Sequence, residues 1–153
     1  MNSDYETILF EKSADKVATV TINRPQAMNS FNVKMQEEFR DLWQSIAEDE
    51  EINAVVLRAS EGRSFCPGMD VRCGENMLRS DQLWNKTDPG ELLAPKANGC
   101  WKPVICAVHG LCGGGGFYFL SEADIIICSP EAEFFDPHVT YGMTAALEPV
   151  AMS

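Results

Sequence analysis

Two short runs of strand length, Val17–Ile22, rich in β-branched residues, and Asn53–Arg58, largely apolar, flank a segment whose apolar residues return every three or four positions. There Met35, Phe39, Leu42, Trp43 and Ile46 fall on one face of a helix running from Val33 to about Glu48. Asn32 is placed to cap its amino end, and Glu37 and Glu38 stand early in it, where the macrodipole favours anions. Strand, long helix, strand is a βαβ unit, normally a parallel pair joined by a right-handed crossover. That unit commits the chain to a layered α/β architecture.

The flanking sequence extends it. Thr7–Phe10 reads as a strand joined to Val17–Ile22 through the polar stretch Glu11–Lys16, and Pro25 ends the second strand by holding Arg24 extended. Pro103–Val108 and Asp124–Cys128 read as further strands, with a short helix from about Gly115 to Glu122 between them. The stretch Cys73–Trp101, polar and broken by Pro89-Gly90 and Pro95, reads as a loop or short helices near a site. No repeat or linker divides the chain, so residues 1–153 are expected to form one domain; 45% hydrophobic residues supply its core.

Charge narrows the partners. With 12 basic and 23 acidic side chains the chain carries a formal charge of -11, which excludes a surface built to track nucleic acid or anionic lipid. The longest apolar stretch, Pro103 to Leu120, is broken by His109 and a group of glycines and does not read as a membrane span. The first residues lack the apolar run of a secretory signal. Six cysteines without a CxxC pair, and only two histidines, argue against a metal site, and the lack of a secretory signal argues against a disulfide framework. Cys106 and Cys128, within apolar runs, are expected to be small core residues. A reduced, cytoplasmic setting fits.

Two glycine-bearing loops carry the chemistry. Gly110-Leu-Cys-Gly113-Gly114-Gly115-Gly116-Phe-Tyr118 joins a strand to a helix, where glycine lets backbone N–H groups approach a ligand and a helix start offers donors to an anion or oxyanion. No Lys-Ser/Thr follows, which excludes a P-loop, and Tyr118 breaks the dinucleotide pattern counted from Gly113. A tight packing turn would use glycine too, but four in succession exceed what one such turn needs. Ser64-Phe-Cys-Pro-Gly68-Met69-Asp70-Val71 follows the Asn53–Arg58 strand, and parallel sheets take ligands at the carboxyl ends of their strands.

Taken in order, Val20-Thr-Ile-Asn-Arg-Pro-Gln-Ala-Met-Asn29, Phe65-Cys-Pro-Gly-Met-Asp70, Lys102-Pro-Val-Ile-Cys-Ala-Val-His-Gly110, the glycine cluster and Ala123-Asp124 resemble the crotonase, or enoyl-CoA hydratase/isomerase, superfamily over nearly the whole chain. The resemblance implies a crotonase-like ββα spiral, ending at Ser153 short of the family's C-terminal helices, and an acyl-CoA thioester as substrate. Lyase or isomerase chemistry of fatty acid metabolism would follow, with coenzyme A as part of the substrate and no separate cofactor. It implies that the backbone N–H groups of Met69 and Gly115 hold the thioester oxygen as it becomes enolate-like. Gln26, Ala27, Met28, Gly68, Asp70, Val71, Arg72 and Gly114 would then contact the coenzyme and acyl chain. Arg24, Arg72 and Lys102 are nearby cations for its phosphates. A homo-oligomer, trimer or hexamer, is implied as well.

The resemblance breaks at two positions. The family's hydratases use two glutamates; Tyr118 and His138, the latter in Asp136-Pro137-His138, stand in their places. Tyrosine, ordinarily ionising near pH 10 (about), is a hydrogen-bond donor at neutral pH, whereas histidine exchanges protons there. The readings open at this point are an acyl-CoA enzyme using Tyr118 and His138 with Asp136, a non-catalytic or weakly active acyl-CoA-binding or assembly protein, and a structural fold in which both side chains fill space. Glu122 is a further carboxylate nearby in sequence.

Overall fold

A computed structural model describes residues 5–72, 88–142, 144 and 150. Most of the expected stretch Cys73–Trp101 begins outside them, since 73–87 are not described. Two sheets form the frame. The larger takes β1 (Ile8–Lys12), β2 (Val17–Ile22), β3 (Ala54–Ala59), β5 (Val104–Val108) and β7 (Ile125–Cys128), in the order β1-β2-β3-β5-β7. Its first pair is antiparallel and the others are parallel. The smaller, fully parallel, takes β4 (Ser64–Cys66), β6 (Leu111–Gly113) and β8 (Glu133–Phe135). Each strand of the second sheet follows one of the first within a few residues, and helices α2 (Pro89–Leu93) and α3 (Phe117–Ser121) lead back to the first. Strand, strand, helix is the repeating turn.

The long helix α1 (Val33–Glu48) matches its periodicity. Met35 N–H donates to the Asn32 side chain at 2.9 Å, closing the cap, and Met35, Phe39, Leu42, Trp43 and Ile46 are all buried. Phe39 packs on Trp43 and on Phe119 of α3, and Phe119 meets Phe65 edge-on at 6.2 Å. Trp43 Nε1–H donates to the Leu93 carbonyl at 2.7 Å, pinning α2 to α1. Removing either ring of the Phe39–Trp43 stack would cost about 3–5 kcal/mol. Glu38 does not serve the helix dipole. It is buried and accepts from the backbone of Glu6 and Thr7 and from the Thr7 hydroxyl. Burial pushes its pKa up, but those bonds and Lys34 outweigh it and leave it lowered.

Three expectations change. The helix after the glycines starts at Phe117, because a single 3-10 turn covers Gly114–Gly116, and Leu111–Gly113 is strand rather than turn. The second sheet goes unforeseen. Cys128 is exposed, as is the rest of β7: Ile125, Ile126 and Ile127 are 56%, 39% and 55% accessible on the strand that, among the described residues, ends the sheet. Cys106 is buried, and burial pushes its thiol up to about 12. Among the described residues no helix is long and apolar enough to cross a membrane, and no group of three His, Cys, Asp or Glu is placed to hold a metal ion.

Candidate functional site

Because β4, β6 and β8 run parallel, their three carboxyl ends lie side by side. The segments leaving them, Pro67–Arg72, Gly114–Gly115 and Pro137–Tyr141, together with the turn Gln26–Met28 after β2, line a cleft of about 550 Å³. Most of its wall is apolar, the usual make-up of a small-molecule pocket of this size.

The turn after β2 is built around Asn29. Pro25 opens a 3-10 turn, and Met28 and Asn29 take left-handed φ angles of 55° and 61°. Asparagine tolerates that region, and here its buried side chain accepts from Arg24 N–H at 2.9 Å and donates to the Ser64 carbonyl at 2.9 Å. The turn is thereby fastened to β4. Arg24 reinforces it by donating to the Ser30 carbonyl and, at 3.1 Å, to Asp70. Arg72 donates to the same carboxylate at 3.1 Å. Hydrogen bonding from Arg72, then from Arg24, overcomes the desolvation of Asp70 and holds its carboxyl at about 2. Asp70 and Arg24 therefore tie the turn after β2 to the loop after β4, and neither is a solvated surface charge. Lys102 sits at the amino end of β5, donating to the Asp49 carbonyl, away from the cleft.

The two loops that carry Met69 and Gly115 touch. Phe31 N–H donates to the Gly68 carbonyl at 3.0 Å and Asp70 N–H to the Phe31 carbonyl at 2.8 Å. Those bonds bracket Met69, so in this extended segment its own N–H points away from Phe31. A Cβ on Gly68, whose φ is +109°, would come 3.2 Å from Gly115 N. Bond geometry then places the Met69 and Gly115 nitrogens within about 7 Å of each other. Gly115 lies in the first turn of a helical segment, where N–H groups have no acceptor within the turn.

The glycine run has steric reasons of its own. A Cβ would strike Phe135 from Gly113, the Phe31 ring from Gly115 and the Cys66 carbonyl from Gly116, while Gly114 is left-handed against Pro137. Four close approaches, one per residue, account for four glycines.

Gln26, Ala27, Met28, Gly68, Met69, Asp70, Val71, Arg72, Gly114, Gly115 and His138 all line the cleft. Tyr118 is not among the lining residues. Its ring packs 6.5 Å from Phe31 and covers Gly90 of α2. Glu122, at the far end of α3, accepts from the backbone of Lys96 and Ala97. Asp136 accepts from the backbone N–H of His138 at 3.0 Å, and the same oxygen is 2.5 Å from the ring Nδ1. Those two contacts, in that order, lower its pKa.

Ser30, Pro67, Phe135, Pro137 and Tyr141 complete the wall. Sequence reasoning did not single them out. The neighbourhood of Pro137 to His138 was the available signal, since a proline next to a candidate residue fixes how the chain enters the site.

Residues 12–151 match the family model described as Enoyl-CoA hydratase/isomerase. A short-chain-enoyl-CoA hydratase of Clostridium acetobutylicum is 35% identical over 147 residues, 92% of this chain and 53% of its own. A mitochondrial Delta(3,5)-Delta(2,4)-dienoyl-CoA isomerase of Dictyostelium discoideum is 30% identical over 143 residues, 86% of this chain and 48% of its own. The crystal structure of an enoyl-CoA hydratase/isomerase from Mycobacterium paratuberculosis superposes with a TM-score of 0.81 at 35% identity, covering 98% of this chain and 56% of that one. The chain spans about half the length of the curated relatives it matches.

Proposed function

This chain belongs to the enoyl-CoA hydratase/isomerase family, and on that premise we propose that the cleft binds an acyl-CoA thioester and stabilises its enolate. The Met69 and Gly115 N–H groups would take the thioester oxygen, and coenzyme A would enter as part of the substrate with no further cofactor. The observation that carries this reading is the contact of the Gly68–Met69 loop with Gly115 at the carboxyl ends of β4 and β6. Preorganised donors aimed where negative charge develops commonly supply the largest part of a rate enhancement. Arg72, in the cleft wall, is the cation best placed for the coenzyme.

His138 is the proton-transfer group of this reading. Its position on the wall supports that role, whereas Tyr118 stands behind Gly115 as a packing neighbour. In the step proposed, the α C–H bond breaks, the proton passes to His138, and the electron pair moves to the thioester oxygen. Return of the proton at the γ-carbon would shift a double bond, which is isomerisation. Hydration of crotonyl-CoA is expected to be slow, because both glutamate positions lack a carboxylate and each such group contributes about 10²- to 10⁴-fold.

A second reading, acyl-CoA binding with little turnover, is favoured by one observation. Among the described wall residues the only carboxylate is Asp70, and it is committed to Arg24 and Arg72. Exchange of the α-proton of butyryl-CoA in D₂O separates the two. Exchange that falls about 100-fold or more in His138→Gln, with thioester binding retained, supports the enzyme; binding without exchange supports the second reading. The exposed β7 edge supports self-association of the chain into a homo-oligomer.

A further inference from the structure

We propose that Asp136 is a positioning residue for His138, holding the imidazole with Nδ1 protonated so that Nε2 is the ring's proton acceptor. The proposal rests on the reading that His138 exchanges a proton with a bound thioester, and it adds what decides which ring atom does so.

The geometry is local. One oxygen of Asp136, Oδ1, accepts the backbone N–H of His138 at 3.0 Å and lies 2.5 Å from its ring Nδ1. Between them Pro137 has its φ fixed by its own ring, and that ring lies against Gly114, 3.2 Å from where a Cβ there would stand. One backbone torsion between the two residues is thereby fixed, and the loop is seated against the glycine turn. His138 lines the cleft and Asp136 does not, so the carboxylate grips the ring from outside the cavity.

The chemistry follows from the donor inventory. Two hydrogen bonds from His138 lower the Asp136 pKa, so at neutral pH it is a carboxylate and can only accept. A neutral imidazole has one N–H, and in this pair that proton must lie on Nδ1. The lone pair is then on Nε2. When the α-carbon gives up its proton, Nε2 receives it and the resulting imidazolium keeps its Nδ1–H on the Asp136 carboxylate. Returning the proton restores the starting state, so the pair balances without a co-reactant.

The test reads the tautomer directly. The chain has two histidines, so ¹⁵N-histidine labelling gives two ring signatures, and His138→Gln assigns one by its disappearance. At a pH where the ring is neutral, His138 should show Nδ1 protonated and Nε2 as the bare nitrogen. Asp136→Asn keeps an acceptor oxygen and the turn, so the tautomer should persist while butyryl-CoA exchange slows about tenfold or more, at unchanged thioester binding. Asp136→Ala should let the Nε2–H tautomer appear and slow exchange further. An Nε2–H ring in the unmodified protein, or a tautomer that Asp136→Ala does not alter, would overturn the proposal. So would full exchange in both variants. If His138→Gln exchanges normally while the tautomer behaves as described, the positioning contact stands and the proton-transfer reading of His138 falls.

Discussion

The two sides of the cleft are held in different ways. The wall formed by Arg24–Phe31 and Ser64–Asp70 is cross-linked through Asn29, Arg24 and the Asp70 carboxylate, and most of those groups are buried. The opposite wall, Phe135–Tyr141, rises from β8, an exposed edge strand, and continues into a 3-10 turn where Val139 and Tyr141 are open to solvent. The proposed oxyanion donors stand on and beside the first wall, and the proposed proton carrier stands on the second. Donors gain from rigidity because a fixed dipole needs no reorganisation as charge develops. A proton carrier needs its ring oriented, and on the exposed wall the proposed Asp136 contact would provide that.

The largest effect should come from opening the cross-link. Arg24→Met leaves Asp70 buried with Arg72 as its remaining ionic partner, and that partner is 69% exposed. Removing one member of a buried pair is costly, and with Arg72 still attached the loss should be about 3 kcal/mol. Urea unfolding would register it as a lowered midpoint with an unchanged slope. A shift no larger than a surface substitution gives would mean that the wall does not depend on this pair.

Acid should loosen the same wall by a smaller amount. Asp70 has its carboxyl lowered from 3.8 to about 2 in the folded chain. A depressed carboxylate pKa adds stability that is fully present above the unfolded value and is lost as pH falls through the folded one. The window is therefore about pH 4 down to about 2, with stability falling as acid is added. Screening at the exposed Arg72 limits the contribution to about 1–2 kcal/mol. Unfolding midpoints of the unmodified chain and Asp70→Asn should converge across that window. A constant difference between them would contradict the assignment.

The same contrast explains what the sequence could disclose. Helix α1 and strand β2 were legible because a periodic pattern of sixteen or six residues reports which face is buried. Strands β4, β6 and β8 have three residues each, too few for a period, and exist through register with one another. The loops of the cleft were legible as motif residues, yet their roles were not. Asp70 matched a position that touches ligand, and its carboxylate is used on two guanidinium groups; only the pairing of residues 24 and 70, far apart in sequence, reveals that. The run from Gly113 to Gly116 looked excessive for a turn because its neighbours, Phe135, Phe31 and Cys66, lie on three other segments. Tyr118 was fixed in position by counting from the glycines, but counting does not say which way a ring points.

The smallest effect belongs to the exposed side and concerns β7. Ile125 and Ile127 are more than half accessible, so replacing both with threonine removes apolar surface that the isolated chain does not bury. Threonine keeps the β-branch that suits a strand, and surface changes of this kind usually stay within about 0.5 kcal/mol each. Folding stability should therefore barely move. If β7 is where copies of the chain meet, sedimentation should show the apparent mass of Ile125→Thr/Ile127→Thr falling toward that of one chain, since the lost area contributed only in the assembly. An unchanged mass with unchanged stability would place the association surface elsewhere, and the β8 edge with Phe134 would be the next to test. A large loss of stability in the dilute, single-chain form would instead mean that these side chains are covered within one chain, contrary to their exposure.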